Sequence, residues 1–365
     1  MITALALLGY AACAAWCVPA LLAPLTRRGV SVRAGLAAWL AAMASVLASA
    51  AVAVELSFRT VAADWPQLTQ ALCRSVAGGA CTPAVYRSAL YEGGVTALAI
   101  TATLLSAIAL WRYGHRVQRS RAQTRSHART ALLVGQVIAG TDAGVPGSAA
   151  GGPAASAAKP AGSAGGARAV MLDDPRPAAY CVAGRPAAII VTSGALAVLD
   201  PPQLRAVLEH ERAHLAHGHH SLATVTRGLA AAFPGVPLFT RGAVEVARLA
   251  EMSADDTAVR TSGRPALVAA LLAIATGTVV SSTGLSSTGL SSTGLSSTGA
   301  CSAGARGAAV PSGALPAAAR AVPDRVERLL RPSSPARSAS FTAALALVLA
   351  LLAAAPPALA LLVTR

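Results

Sequence analysis

Four stretches of the chain are apolar almost throughout: residues 2–25, 34–56, 94–111 and 341–363. Each is near the ~20 residues that a helix needs to cross a hydrocarbon core of about 30 Å, so the pattern predicts four transmembrane helices. The first lacks a basic leader and is longer than the apolar part of a cleaved signal, which makes it a retained helix. Between the third and fourth stretches the pattern changes. Tyr180-Cys181-Val182 and the β-branched run 188–192 flank Ala183-Gly-Arg-Pro186 and predict a strand pair. Then Asp200-Pro201-Pro202-Gln203 reads as a helix start, with Asp200 as the cap, Pro201 at the first helical position and Gln203 three residues after the cap. Leu204, Val207, Leu208 and Leu215 follow at helical spacing, and Gly218 is a stop. A second helical stretch covers 243–259 and ends before Gly263. Residues 222–239, broken by Arg227, Pro234 and Pro237, read as a hairpin at the bilayer surface; 266–280 is short for a span and suits a buried helix.

Composition changes this picture little. The chain is 54% hydrophobic, which fits an integral membrane protein. The net charge of +15 raises the question of nucleic acid. The arginines, however, flank the spans, where they set topology and touch anionic headgroups, and no aromatic-interleaved patch accompanies them, so no specific nucleic-acid partner is expected. Arg27, Arg28 and Arg33, the run from Arg112 to Arg129, and Arg320 to Arg337 place their segments in the cytoplasm; the segment 58–93, poorer in arginine excess, is the extracytoplasmic loop. Cys73 and Cys81 both lie in that loop, where a disulfide is feasible. Residues 140–168 are a Gly/Ala/Ser/Pro-rich linker, and 281–299 repeat Ser-Ser-Thr-Gly-Leu with a period too short for a solenoid. The resulting layout is a membrane domain at 1–111, a basic connector at 112–139, a linker at 140–168, a core at 169–280, a repeat linker at 281–319, a basic membrane-proximal segment at 320–340 and the fourth span at 341–363.

The candidate chemistry sits in the first core helix. Five of the seven histidines fall in residues 209–220, which contain His210-Glu211-Arg-Ala-His214. On a helix, positions i and i+4 stand one turn apart, so His210 and His214 can offer two imidazole nitrogens to one metal ion. Glu211 is placed to take a proton from a metal-bound water, the scheme of a zinc peptidase. A catalytic site needs a third protein ligand and an open position. Glu251, in Glu251-Met-Ser-Ala-Asp255, is one candidate, with Asp255 one turn on to orient a ligand histidine. His220 is the other, at the spacing of HExxHxxGxxH, but His217 occupies the place of the required glycine, and Glu251 is preferred.

These residues, with Val191-Thr-Ser-Gly-Ala-Leu196 upstream and His219-His220 trailing, resemble the BlaR/MecR-type antirepressor membrane metallopeptidases over about residues 178–262. They are similar, more distantly, to the HtpX and CAAX prenyl peptidases. The resemblance implies a mainly α membrane protein whose four transmembrane helices carry a gluzincin-like α+β zinc peptidase domain between the third and fourth, facing the cytoplasm. It implies zinc held by His210, His214 and Glu251, Glu211 as general base, and a protein or peptide substrate such as a cytosolic repressor or the chain itself. Arg325, in Arg325-Val-Glu-Arg-Leu329, resembles an element near the end of related domains and is a candidate oxyanion or substrate contact. The sequence ends at Arg365 without the large extracellular penicillin-binding domain of beta-lactam-sensing relatives, so direct beta-lactam sensing is not expected. An HtpX-like quality-control protease and a non-catalytic zinc-stabilised signalling adaptor in the bilayer are the alternative functions.

Overall fold

The computed structural model describes residues 2–27, 31–76, 111–120, 135–137, 167–184, 187–281, 322–331 and 335–363, with isolated positions between 94 and 130. It divides into two compact units: Met1–Val117 with Val225–Val246 and Ser333–Arg365, and Gln118–Thr224 with Ala247–Pro332.

The first unit contains α1 (Ile2–Arg27) and α2 (Val32–Val76) and, from the far end of the chain, the helix Pro335–Val363. Ala4, Leu7, Ala11, Ala14, Val18 and Leu22 of α1 are buried, a seam at three- and four-residue spacing whose small side chains let a neighbouring helix approach closely. Tyr10 Oη and Ser45 Oγ lie 2.8 Å apart, and each lies 3.0 Å from the Leu352 carbonyl oxygen, so all three helices meet at one polar point. Leu5, Trp16, Leu21, Leu347 and Leu351 face outward, as lipid-facing side chains would. Three described helices are long and apolar enough to cross a membrane: Ile2–Arg27, Val32–Thr60 and Ser340–Ala358. The expected span at 94–111 falls largely outside the described residues; those described within it are helical. Helix α2 continues to Val76, so the segment expected as a loop from 58 begins as helix, while Cys81 and the expected pairing with Cys73 lie outside the described residues.

The second unit is built on a four-stranded sheet in the order β1 (Gln136–Val137), β2 (Arg168–Leu172), β4 (Ala188–Thr192), β3 (Ala179–Val182). The expected strand pair is β3 and β4, antiparallel with Tyr180 opposite Ile190 and Cys181 opposite Ile189. The sequence reading missed β2, which pairs parallel with β4, and β1, which pairs antiparallel with β2. Every residue of β4 is buried, because the strand is covered on both faces. Ile189 and Val191 pack with Leu204, Leu208 and Leu215, whereas Ile190 turns to the other face with Val182, Leu172 and Tyr180.

Helices follow in quick succession: α3 (Ser193–Val198), α4 (Pro201–Ala216), α5 (His219–Ala232), α6 (Pro237–Ser262) and α7 (Arg264–Thr276), then α8 (Val322–Leu330) and α9 (Pro335–Val363). Helix α4 starts as expected: the Asp200 carboxylate accepts from Gln203 N–H and the Gln203 side chain returns a bond to the Asp200 N–H. It stops at His217, and Gly218 (φ 64°) turns the chain into α5 through a left-handed conformation that favours glycine. Pro234 stands in the turn between α5 and α6, and Pro237 opens α6. The boundary between the two units falls within α5 and within α6. Helix α7 is the buried apolar helix expected at 266–280; its Leu267 and Val268 form a core with Ala206 of α4, Ala258 of α6 and Leu329 of α8.

Candidate metal centre

His210 and His214 lie on the buried face of α4 with their Nε2 atoms 3.1 Å apart. Glu251 comes to them from α6, with Oε2 3.5 Å from His210 Nε2 and Oε1 3.6 Å from His214 Nε2. Donors each about 2.0–2.1 Å from one tetrahedral ion stand roughly 3.3 Å from one another, and here each imidazole Nε2 has one oxygen of the Glu251 carboxylate close to that distance, with one ligand atom from each residue within 4.8 Å of the others. All three residues are buried, and they form a group able to hold a metal ion. His220, the alternative third ligand, is not part of that group.

The outer nitrogens of the two imidazoles have different partners. His210 Nδ1 is 3.0 Å from Asp255 Oδ1, which fixes the proton on Nδ1 and leaves the Nε2 lone pair for the site. His214 Nδ1 is 3.1 Å from Nδ1 of His219, itself buried at the start of α5 and stacked beside His217. The pattern of spacings did not assign His219 a role, because its place depends on the turn at Gly218.

Glu211 adjoins His210 and is also buried. Burial raises its pKa above the ordinary carboxylate value and Glu251 adds to the rise, while His210 and hydrogen bonds from the Cys181 thiol and N–H oppose it. Burial, then the Glu211 charge, drives the Cys181 thiol well above the usual thiol range. Cys181, on the edge strand β3, was another residue without a role in the sequence.

Arg325 of α8 is 4% exposed, which puts it inside the centre. Its Nε donates to Asp255 Oδ2 at 2.8 Å and its Nη2 donates to Asp255 Oδ1. Its Nη1 lies 3.2 Å from Glu251 Oε2. Burial alone would raise the Asp255 pKa, but the bonds from Arg325 and His210 hold it far below the usual carboxylate range. Glu251 likewise is held at about 2, against burial, by His210, His214 and Arg325. Burial would lower the His210 pKa; hydrogen bonds to Asp255 and Glu251 outweigh it and keep it at about 9. His214, with burial and the neighbouring His210 acting together, falls to about 3.

The charges suit a divalent cation. The carboxylates of Glu251 and Asp255, held ionised in a buried place, are met without metal by Arg325 and a protonated His210, and a bound cation would take over the charge that His210 gives up on ligation.

Neither the curated proteins nor the solved structures give a match. Residues 154–331 match the family model described as Peptidase family M48, and they include all of the residues just described. That segment, just under half of the chain, is thus similar to M48 peptidases, and within it His210, His214 and Glu251 form a group that could hold a metal ion.

Proposed function

We propose that this protein is an integral membrane zinc endopeptidase that cuts peptide bonds on the cytoplasmic side, in regulatory proteolysis of a transcriptional repressor or of the chain itself. His210, His214 and Glu251 hold the zinc, and the buried convergence of the two Nε2 atoms and the Glu251 carboxylate carries this reading. Zinc, when bound, supplies Lewis acidity to a water and to the scissile carbonyl. Glu211 takes a proton from the attacking water on its carboxylate and passes it to the leaving amine. Its raised pKa makes it a stronger base than an ordinary carboxylate, in keeping with a group that must both accept and return a proton. The cytoplasmic side follows from the arginines around the spans. The regulatory role rests on the resemblance to antirepressor peptidases.

The test uses the full-length protein in detergent or nanodiscs. Wild type and Glu211→Ala each bind about one zinc, Glu251→Ala loses it, and only wild type cleaves itself or a co-expressed repressor. Zinc retained by Glu251→Ala would move the third ligand elsewhere, and cleavage by Glu211→Ala would remove the assigned base.

A further inference from the structure

The zinc site drawn from the motif has three ligands on two helices, yet one planar cation from a third helix touches its carboxylates. Arg325 is separated from Asp255 by 70 positions in sequence, and the repeat tract lies between them. It nevertheless lies almost wholly inside, and Nε, Nη1 and Nη2 all face carboxylates: two on Asp255, one on Glu251. Helix α8 is amphipathic. It is held by Leu329 and Val326 in the core with α4, α6 and α7, and by Arg328, whose Nη2 is 2.9 Å from Asp256. Its buried residues are Arg325 and Leu329, one turn apart. The helix is therefore docked so as to deliver this guanidinium.

We infer that Arg325 is a positioning residue for the metal: it fixes the Glu251 carboxylate directly, and His210 through Asp255, so that α8 completes the centre. The inference rests on the reading of His210, His214 and Glu251 as ligands. A guanidinium is suited to this because its rigid fork grips one carboxylate with two parallel bonds while a third N–H reaches the other. A lysine at 325 would supply the charge without that geometry. The neighbouring cation also lowers the negative potential that draws a metal in, so a purely electrostatic role predicts tighter metal binding on its removal. A positioning role predicts weaker binding.

The experiment loads the full-length protein with Co²⁺ in place of zinc and reads two quantities: the visible absorption of the ion, which reports its coordination, and its affinity by chelator competition. We compare wild type, Arg325→Gln, Arg325→Lys and, as a control on the same helix, Arg328→Gln. The expected result is a wild-type spectrum for Arg328→Gln. Both Arg325 variants should show an altered spectrum and affinity lower by about 10–100-fold. Should Arg325→Gln fail to fold, Arg325→Lys, which keeps a buried cation, carries the test. Wild-type spectrum and affinity in Arg325→Lys, or tighter binding in Arg325→Gln, would overturn positioning in favour of charge alone. A wild-type protein that takes up no Co²⁺ would overturn the ligand assignment itself, a different failure from unaltered variants of a protein that binds the ion.

Discussion

His210 has to be neutral at Nε2 to ligate, but without metal its pKa is held at about 9 by Asp255 and Glu251. Metal binding at pH 7 therefore expels a proton, and affinity rises about tenfold per pH unit as the pH climbs toward 9. His214, at about 3, adds nothing to this slope. The sign for folding of the metal-free protein is opposite: a histidine raised above its ordinary value stabilises fully below about 6.5, and that contribution is lost as pH rises through about 9. Chelator competition at pH 7, 8 and 9 checks the first statement, and an affinity that stays level over this range would remove the proton from His210. The i, i+4 pair and Glu211 were legible because helical spacing alone places them. Glu251 was legible because it stands four residues before Asp255 on a recognisable helix. Cys181 and His219 were not, since one reaches Glu211 from a strand edge and the other reaches His214 across a turn, neither of which leaves a spacing.

Elements were legible where local chemistry and burial agree. The Asp200 capping box and the Gly218 stop set α4 by hydrogen bonds made within the helix ends themselves. Strand β2 escaped because Arg168-Ala-Val-Met-Leu172 is short, adjoins a Gly/Ala-rich tract and finds its register only against β4. Helix α8 escaped because it is brief, nine residues of which four are charged. A close approach in this unit was equally invisible: a Cβ on Gly194 would stand 2.2 Å from the Pro175 carbonyl oxygen. That oxygen is backbone and cannot swing aside. Gly194→Ala is expected to cost about 1–3 kcal/mol by forcing α3 away from the 174–176 turn. At Gly235, nothing lies within 4 Å of an added Cβ, and Gly235→Ala should fall within about 0.5 kcal/mol of wild type. Thermal unfolding followed by circular dichroism compares the two, and equal midpoints would contradict the contact at Pro175.

At the scale of the whole molecule, the apolar stretches announced a membrane protein, and three described helices have the length and hydropathy to cross. What they cannot give is a direction, because a helix reads alike from either side; the arginines supply it. One of them, Arg27, does more than face headgroups. It closes an ion pair at 2.7 Å with the buried Glu245 carboxylate within the membrane-containing unit. A basic residue can thus serve topology and packing at once, so orientation is better argued from the sum of the arginines than from any one. The proposed orientation, argued from that sum, has residues 1, 58–93 and 365 on one side, and the 112–340 region with the candidate metal centre on the other. Reporter insertions read this directly in cells. A fluorescent protein placed after residue 151 should fluoresce, and alkaline phosphatase placed after residue 80 should be active. Phosphatase activity at 151 with none at 80 would turn the molecule over, and the substrate would then have to be sought outside the cytoplasm.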